Sequence, residues 1–89
     1  MKGRYLEVTF RRGRPVAAYI YLPRKAGEKS ARTASMGHGL LVDYTADGVP
    51  IGVEIAAPSH LATIQIDELL RQHGFEATTP EELAPLRAA

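Results

Sequence analysis

The sequence predicts a small α+β domain, in which an antiparallel sheet of about four strands, arranged as two hairpins, is packed by one or two C-terminal helices. Apolar and polar side chains alternate over residues 5–10 and 16–22, and again over residues 40–44 and 51–56, as expected for strands with one buried face. Apolar side chains also recur at helical spacing over residues 64–73. Strands followed by helices are typical of the α+β class.

The chain has 89 residues and is predicted to form one domain, since a second would be too small to bury its own core. It divides into a first hairpin at residues 4–22, a flexible connection at 23–39, a second hairpin at 40–56 and C-terminal helices at 63–88. The connection is polar, has no periodicity and begins at Pro23, which cannot donate to a central ladder. Because the core of so small a sheet is thin, the sequence also predicts a homodimer.

The turns and the alternation predict the register of both hairpins. The second hairpin surrounds Asp47-Gly48, a strong hairpin signal, and the first surrounds a charged turn at residues 11–15. A slip by one residue in the second hairpin would bury Asp43 and Glu54. The predicted partners there are Leu40 with Ile55, Val42 with Val53, and Tyr44 with Ile51. Those of the first hairpin are Leu6 with Ile20, Val8 with Ala18, and Phe10 with Val16.

Two helices are predicted after the second hairpin. The first runs over residues 64–73, is capped by Thr63 or a neighbour, and stops at Gly74. Its apolar stripe consists of Ile66, Leu69, Leu70 and His73, the last of which we expect to contact the carbonyls at the helix end. A capping box of Thr79 and Glu82 then opens a second helix. That helix passes through Leu83 and Leu86 and is interrupted at Pro85.

Composition and charge limit the classes of function. The chain has no cysteine, which removes disulfides, thiolate metal ligands and thiol nucleophiles together. No apolar run approaches the roughly 18 residues of a membrane-spanning helix, and no signal peptide is predicted, so we expect a cytoplasmic protein. Residues 1–32 carry nine Lys and Arg against two Glu, a net charge of +7, and residues 33–89 carry a net charge of −6. This asymmetry favours self-association or an anionic partner, unless the halves fold together and neutralise one another.

The second hairpin and its flanks carry a pattern of a Val-Asp-Tyr strand end, an acidic-Gly turn, a Gly-Val-Glu-Ile strand and a break that contains serine. The positions in question are Val42, Asp43, Tyr44, Asp47, Gly48, Gly52, Val53, Glu54, Ile55 and Ser59. The pattern resembles the bacterial family called domain of unknown function 2283, roughly over residues 5–61, with residues 18–22 similar to its earlier strand. It departs where the arginines of residues 11–14 replace acidic residues that are common in the family. The resemblance implies a small sheet-and-helix protein without assigned activity, and, since some relatives look like partners of toxin-like genes, an antitoxin-like interaction role.

The polar faces of the two hairpins supply the candidate interface. Three tyrosines group on the first hairpin, and tyrosine is enriched at protein interfaces. The corresponding face of the second hairpin is mixed in polarity, which indicates cover by a second subunit or another protein. Gly52 on that face either leaves room for a ligand or another backbone, or marks a bulge or relieves crowding. The interface candidates are Tyr5, Tyr19, Tyr21, Leu41, Asp43, Gly52 and Glu54.

Nucleic-acid binding is the first alternative. Arg4, Arg11, Arg12 and Arg14 lie close in sequence to the tyrosines of the first hairpin, and the last three are the candidates for contact with nucleic acid. Aromatic side chains on a sheet beside basic residues stack bases in several RNA-binding modules. The motif spacing of those modules is absent here, and tyrosine is also a good cross-strand packer, so a protein interface and plain surface packing stay open.

A metal-dependent activity is the second alternative. Asp43 and Glu54 share a face at diagonal positions about 7–8 Å apart, and His38 and His60 lie near the ends of the same hairpin. Carboxylates and imidazoles bind divalent cations or act as acid–base pairs, but this spacing matches no ligand signature. There is also no phosphate loop and no nucleophile elbow. We therefore predict no enzyme, no metal and no cofactor, but a homodimeric module that binds a second protein.

Overall fold

The computed structural model describes residues 3–58 and 63–87. The strands are β1 Tyr5–Arg11, β2 Arg14–Tyr21, β3 Arg32–Gly37, β4 Leu40–Tyr44 and β5 Pro50–Ala56, and the helices are α1 Thr63–Gln72 and α2 Ala84–Arg87. The strands form one antiparallel sheet in the order β1-β2-β5-β4-β3. The α+β class and the two hairpins are thereby confirmed, and the predicted number of about four strands is corrected to five.

The two predicted hairpins join through β2 and β5, a pairing that the sequence left open. In this ladder Ile20 lies opposite Val53 and Tyr19 opposite Glu54. The chain then passes the ends of β5 and β4 to reach the far edge of the sheet. Two backbone hydrogen bonds hold this passage, because Leu22 N–H donates to the Ile51 carbonyl at 3.1 Å and Ala31 N–H donates to the Tyr44 carbonyl at 2.8 Å.

The prediction of a flexible connection over residues 23–39 is wrong for its second half, which forms β3 and pairs with β4. The turn between these strands consists of His38 and Gly39, with φ of 56° and 75° after Gly37 at 81°. Two central residues with positive φ are the signature of a type I′ hairpin turn, which matches the twist of the flanking strands. Glycine adopts this conformation freely and histidine is one of the few other residues found there.

The register of the second hairpin differs from the prediction only next to its turn. Leu40 opposite Ile55 and Val42 opposite Val53 are confirmed. Tyr44, however, opposes Pro50 rather than Ile51. The reason is a three-residue loop closed by Thr45 N–H, which donates to the Val49 carbonyl at 2.9 Å, with Gly48 at φ 85°. A loop of this type places a bulge in the strand that follows it.

The register of the first hairpin also differs from the prediction only next to its turn. Leu6 opposite Ile20 and Val8 opposite Ala18 are confirmed. Phe10 lies opposite Pro15 and not Val16, because the ladder shifts between Thr9 and Phe10. The turn itself consists of Arg12 and Gly13, with φ of 55° and 77°, and is again of type I′.

One face of the sheet, the covered face, packs against α1 and against residues 75–87, the C-terminal segment. Ile20, Val53 and Ile55 are buried there, against Leu69 and Leu70 of α1. Helix α1 agrees with the prediction to within one residue at each end, and Gly74 follows it at φ 83°. The contact that was predicted for His73 is confirmed, since its Nδ1 donates to the Leu69 carbonyl at 2.9 Å and its Nε2 lies 2.8 Å from the Tyr44 hydroxyl.

The C-terminal segment is fastened to the start of β1 by Arg4. Its guanidinium donates to the Glu76 and Ala77 carbonyls at 2.6 and 2.7 Å and to the Glu82 carboxylate at 2.6 and 3.0 Å. The capping box is confirmed, because Thr79 N–H donates to Glu82 Oε1 at 2.9 Å and Glu82 N–H donates to Thr79 Oγ1 at 3.2 Å. It opens a turn rather than a helix, since α2 begins only at Ala84. Neither helix of the described ranges is long and apolar enough to cross a membrane.

Candidate interaction surface on the open face of the sheet

The other face of the sheet, the open face, carries two rows of side chains that run across all five strands. The first row is Tyr5, Tyr21, Gly52, Asp43 and Thr33, and the second is Glu7, Tyr19, Glu54, Leu41 and Ser35. In the described parts of the chain, neither helix packs on this face. The pairing of β2 with β5 therefore brings all seven predicted interface residues together on a single uncovered surface.

The tyrosines of the open face form one cluster. The rings of Tyr5 and Tyr21 are stacked, with centroids 4.6 Å apart and planes inclined by 15°. Tyr19 meets Tyr21 edge to face, with centroids 4.7 Å apart. Arg24, which donates to the Ile51 carbonyl at 2.7 Å, holds its guanidinium 5.8 Å from the Tyr21 centroid. Offset and edge-to-face pairs of this kind are favourable, so the rings are held in place by one another.

Tyr19 lies across Gly52 and reaches β4. Its hydroxyl donates to Asp43 Oδ2 at 2.6 Å, and the Thr33 hydroxyl donates to the other carboxylate oxygen. A Cβ atom at Gly52 would lie 1.8 Å from the Tyr19 oxygen, so glycine is required for this crossing. Burial, followed by the hydrogen bond to Asp43, raises the pKa of the Tyr19 phenol. Both structural accounts considered for Gly52 therefore apply, because the ladder shifts beside it, between Asp43 and Tyr44, and the missing side chain relieves crowding by the Tyr19 ring.

Two further carboxylates make the open face acidic. Glu7 accepts a hydrogen bond from the Tyr21 hydroxyl at 3.0 Å, and this bond raises the pKa of the Tyr21 phenol. Glu54 is exposed and lies between Tyr19 and Leu41 in its row. The surface thus combines aromatic rings with carboxylates.

The structure does not assemble the metal site that was considered. Asp43 and Glu54 do share the open face, but both oxygens of Asp43 already accept hydrogen bonds from Tyr19 and Thr33. His38 lies in the β3–β4 turn, where its Nδ1 is 3.1 Å from Gln65 Nε2. His60 and Ser59 lie outside the described residues. Over residues 3–58 and 63–87, no three His, Asp or Glu side chains come close enough to hold an ion.

The arginines of the first hairpin lie away from the tyrosines. Arg11, Arg12 and Arg14 are exposed at the tip, beyond the last β2–β5 pair, Ala17 with Ala56. Arg11 lies six positions after Tyr5 along β1, or roughly 20 Å away at the usual rise per residue. The structure therefore separates the aromatic cluster from the basic cluster that the sequence placed beside it.

Thr33 and Arg24 belong to this site but were not among the interface residues predicted from the sequence. Thr33 fell in the predicted connection, although Thr33 and Ser35 alternate with Ala34 and Met36 before a Gly-His-Gly turn. That alternation and turn are the signal for the strand. Arg24 carries no such signal, because its contact with Tyr21 depends on the course of the chain after β2.

Comparisons with known proteins add no assignment, because no family model matches the chain and neither a curated protein nor a solved structure is similar to it. The resemblance to the family of domain of unknown function 2283 therefore stays a prediction.

Proposed function

We propose that the protein is a non-catalytic, cytoplasmic interaction module, which binds a partner protein through the open face of its sheet. The observation that carries this proposal is the convergence of Tyr5, Tyr19 and Tyr21 with carboxylates on one uncovered surface. The chain has no cysteine, so its fold does not depend on disulfides, as is usual for cytoplasmic proteins. A toxin-like partner, and thus an antitoxin-like role, is what the resemblance of the second hairpin implies.

The order of the open face supports docking rather than simple contact with solvent. Tyr19 and Tyr21 are tied by hydrogen bonds to Asp43 and Glu7, and the rings pack on one another. Side chains that are already held lose little conformational freedom when a partner binds, so less of the binding free energy is lost to ordering. Tyr5 is 50% exposed at the end of the ring stack and offers its face directly. Rigid amphipathic rings of this kind are typical binding anchors.

The chemistry of the open face fits a basic partner segment. Its carboxylates are Glu7, Asp43 and Glu54, and the Arg24 guanidinium lies over the Tyr21 ring. An arginine or lysine of a partner would find a ring face for a cation–π contact and a carboxylate for a charge-assisted hydrogen bond. We therefore propose an exposed Arg- or Lys-bearing segment as the bound element.

The choice of a basic segment can be tested by titrating the protein with a short arginine–glycine peptide and following backbone amide chemical shifts. We expect saturable shifts on β1, β2 and β5 around Tyr21 and Glu54, and none with a glutamate–glycine peptide of equal length. Glu54→Lys should abolish these shifts, whereas Glu68→Lys, the same charge change at an exposed position of α1 on the covered side of the sheet, should leave them. Shifts that are absent, or equal in the two variants, would contradict a basic occupant.

Nucleic-acid binding by the tip of the first hairpin is a second candidate. The observation in its favour is that a type I′ turn presents three exposed arginines, Arg11, Arg12 and Arg14, at the end of a two-stranded ribbon. Phosphate contacts by these side chains would make binding strongly dependent on salt. We expect RNA or DNA retention that falls steeply with salt and is lost in a triple alanine variant. Retention that is absent, or insensitive to salt, would remove this candidate.

The predicted homodimer calls for a different surface. Stacking two open faces would bring the carboxylates of Glu7, Asp43 and Glu54 of one copy against the same groups of another. Like charges that face one another across an interface are costly. We therefore propose that self-association uses a part of the sheet that does not carry these carboxylates.

A further inference from the structure

The two edges of the sheet are protected to different degrees. Along β1, the start of the strand is covered by the C-terminal segment, which Arg4 holds through Glu76, Ala77 and Glu82. Helix α2 also contacts β1. Edge β3 pairs only with β4, and of its six residues only Ala34 is even half-buried. Within the described ranges, no further strand pairs with β3 along this edge.

β3 also carries few of the features that usually protect an edge. Natural edge strands carry lysine, proline, inward-pointing charges or a strong bulge that prevents further pairing. Residues 33–36 are Thr, Ala, Ser and Met, and the bulge lies at the far end, between Ser35 and Gly37. The single charge, Arg32, is folded back over the Tyr44 ring at 4.3 Å from its centroid. Most of the strand is therefore open to pairing.

We propose that β3 pairs with β3 of a second copy of this chain, so that two five-stranded sheets join into one of ten strands. The pairing is antiparallel, about a two-fold axis through Ala34. The strand is complementary to itself in this register, because Thr33 lies opposite Ser35 of the second copy on the open side. Hydroxyl pairs of this kind stabilise adjacent strands. Ala34 lies opposite its own copy, where small side chains allow close approach.

The charges near the seam are complementary as well. In the same register, Arg32 of each copy lies opposite Met36 of the other, so the two arginines do not face one another. Met36 lines a groove of about 240 Å³ between the β3–β4 hairpin and α1, and Glu68 lines the same groove. Arg32 of the second copy thus arrives beside a carboxylate. This arrangement repeats at both ends of the seam because of the two-fold symmetry.

The size of the seam predicts a reversible dimer. A stable interface buries about 1,200–2,000 Å² in total, more than a ladder of a few residues covers. The facing sides of the two α1 helices, with Gln65 and Gln72 in the groove beside β3, add to the area. We therefore expect self-association in the micromolar to millimolar range, with a mass that depends on concentration.

Sedimentation equilibrium over a wide concentration range tests the proposal. The wild-type protein should shift from 9.7 kDa towards twice this mass. Ser35→Lys places a charge at the centre of the edge and should raise the dimer dissociation constant about tenfold or more. The matched control is Thr9→Lys, an exposed open-face position on the other edge strand, and it should dimerise as the wild type does. A wild-type protein that stays monomeric, or equal effects of the two lysines, would overturn the proposal.

A cysteine cross-link keeps the test decisive even if a lysine variant folds poorly. The chain has no cysteine of its own, so Ala34→Cys and Thr9→Cys each carry a single thiol. On mild oxidation, Ala34→Cys should give a disulfide-linked dimer at concentrations where Thr9→Cys does not, because position 34 lies on the proposed axis. Cross-linking of neither variant, or of both to the same extent, would contradict pairing at β3.

Discussion

The covered face of the sheet is held by burial of apolar side chains, whereas the open face is held by hydrogen bonds and ring contacts. Ile55 on the covered face is 0% exposed and packs in the core, while its neighbour Glu54 points to the open face and is exposed. On the open face, Tyr19 is fixed by Asp43 and by the space above Gly52. Alternate residues of the same strand thus serve stability on one side and an ordered, accessible surface on the other.

This difference shows that the side chains of the open face are held by contacts with one another and not by packing in the core. A solvated strand face needs neither ring stacking nor a buried glycine, and its side chains are usually mobile. Here the network of Tyr19, Asp43 and Thr33 spans three strands. Such order is what a docking surface requires before its partner arrives.

The largest effect on stability is expected on the covered face. Ile55→Ala should lower the free energy of unfolding by about 2–5 kcal/mol, because it leaves a cavity in a closed core. Glu54→Ala, one residue earlier and on the open face, should change it by less than about 0.5 kcal/mol. Urea unfolding of the two variants gives both values. Similar losses would show that the two faces contribute alike to stability.

A smaller loss is expected for Gly52→Ala. The new methyl group cannot coexist with the Tyr19 ring, so the ring must leave and its hydrogen bond to Asp43 breaks. We expect a loss of about 1–3 kcal/mol. In a Tyr19→Ala background the same change should be nearly neutral, since the space is then open and glycine is a poor strand residue. Equal losses in the two backgrounds would refute the role given to Gly52.

A smaller effect on stability, and one that depends on pH, is expected from the ion pair of Arg4 and Glu82, which holds the C-terminal segment to the start of β1. The Arg4 guanidinium holds the pKa of the Glu82 carboxyl below its ordinary 4.5. A lowered pKa in the folded state gives stability that is present above the unfolded pKa and is lost as the pH falls through the folded value. Glu82→Gln should thus destabilise the protein near neutral pH but match the wild type in strong acid. Glu81→Gln is the control, and a difference that persists in acid would argue against the ion pair.

The smallest effect is expected in the titration of the open-face phenols. The pKa values of Tyr19 and Tyr21 lie above the ordinary 10.0, so their phenols stay protonated in the folded protein after those of an unfolded chain have ionised. Their contribution to stability is therefore present below pH 10.0 and is lost as the pH rises further. Asp43→Asn should lower the pKa of Tyr19 towards its ordinary value, and only in part, because burial remains. Ultraviolet difference absorbance measures this shift, and Glu54→Gln should not reproduce it.

The sequence predicted those parts of the fold that depend on local signals. Alternation placed Val42 opposite Val53 correctly, and Gly74 marked the end of α1. The predicted pairs next to the turns were wrong, because a shift in each ladder leaves one residue of a strand without a partner, and alternation cannot show this. Strand β3 was missed since its alternating side chains are small and polar, and the pattern has little contrast.

The candidate site was predictable as a set of residues but not as a surface. The interface residues were chosen from two separate hairpins, and their convergence depends on the pairing of β2 with β5. That pairing is non-local, and no local pattern specifies which strands of two similar hairpins meet. The contact of Tyr19 with Asp43 follows only from this strand order. The distance between the tip arginines and Tyr5 likewise required the structure.

The most direct test of the open face as a docking surface is capture of a partner from a nuclease-treated lysate of the native host. Wild-type protein would be compared with Tyr21→Ala and Glu54→Lys on the open face, and with Glu68→Lys on α1 as the control. We predict one protein in stoichiometric amount, with exposed basic residues, which the wild type and Glu68→Lys retain and the two open-face variants lose. Recovery of the bait alone, or equal recovery by all four proteins, would contradict the proposed role of the open face.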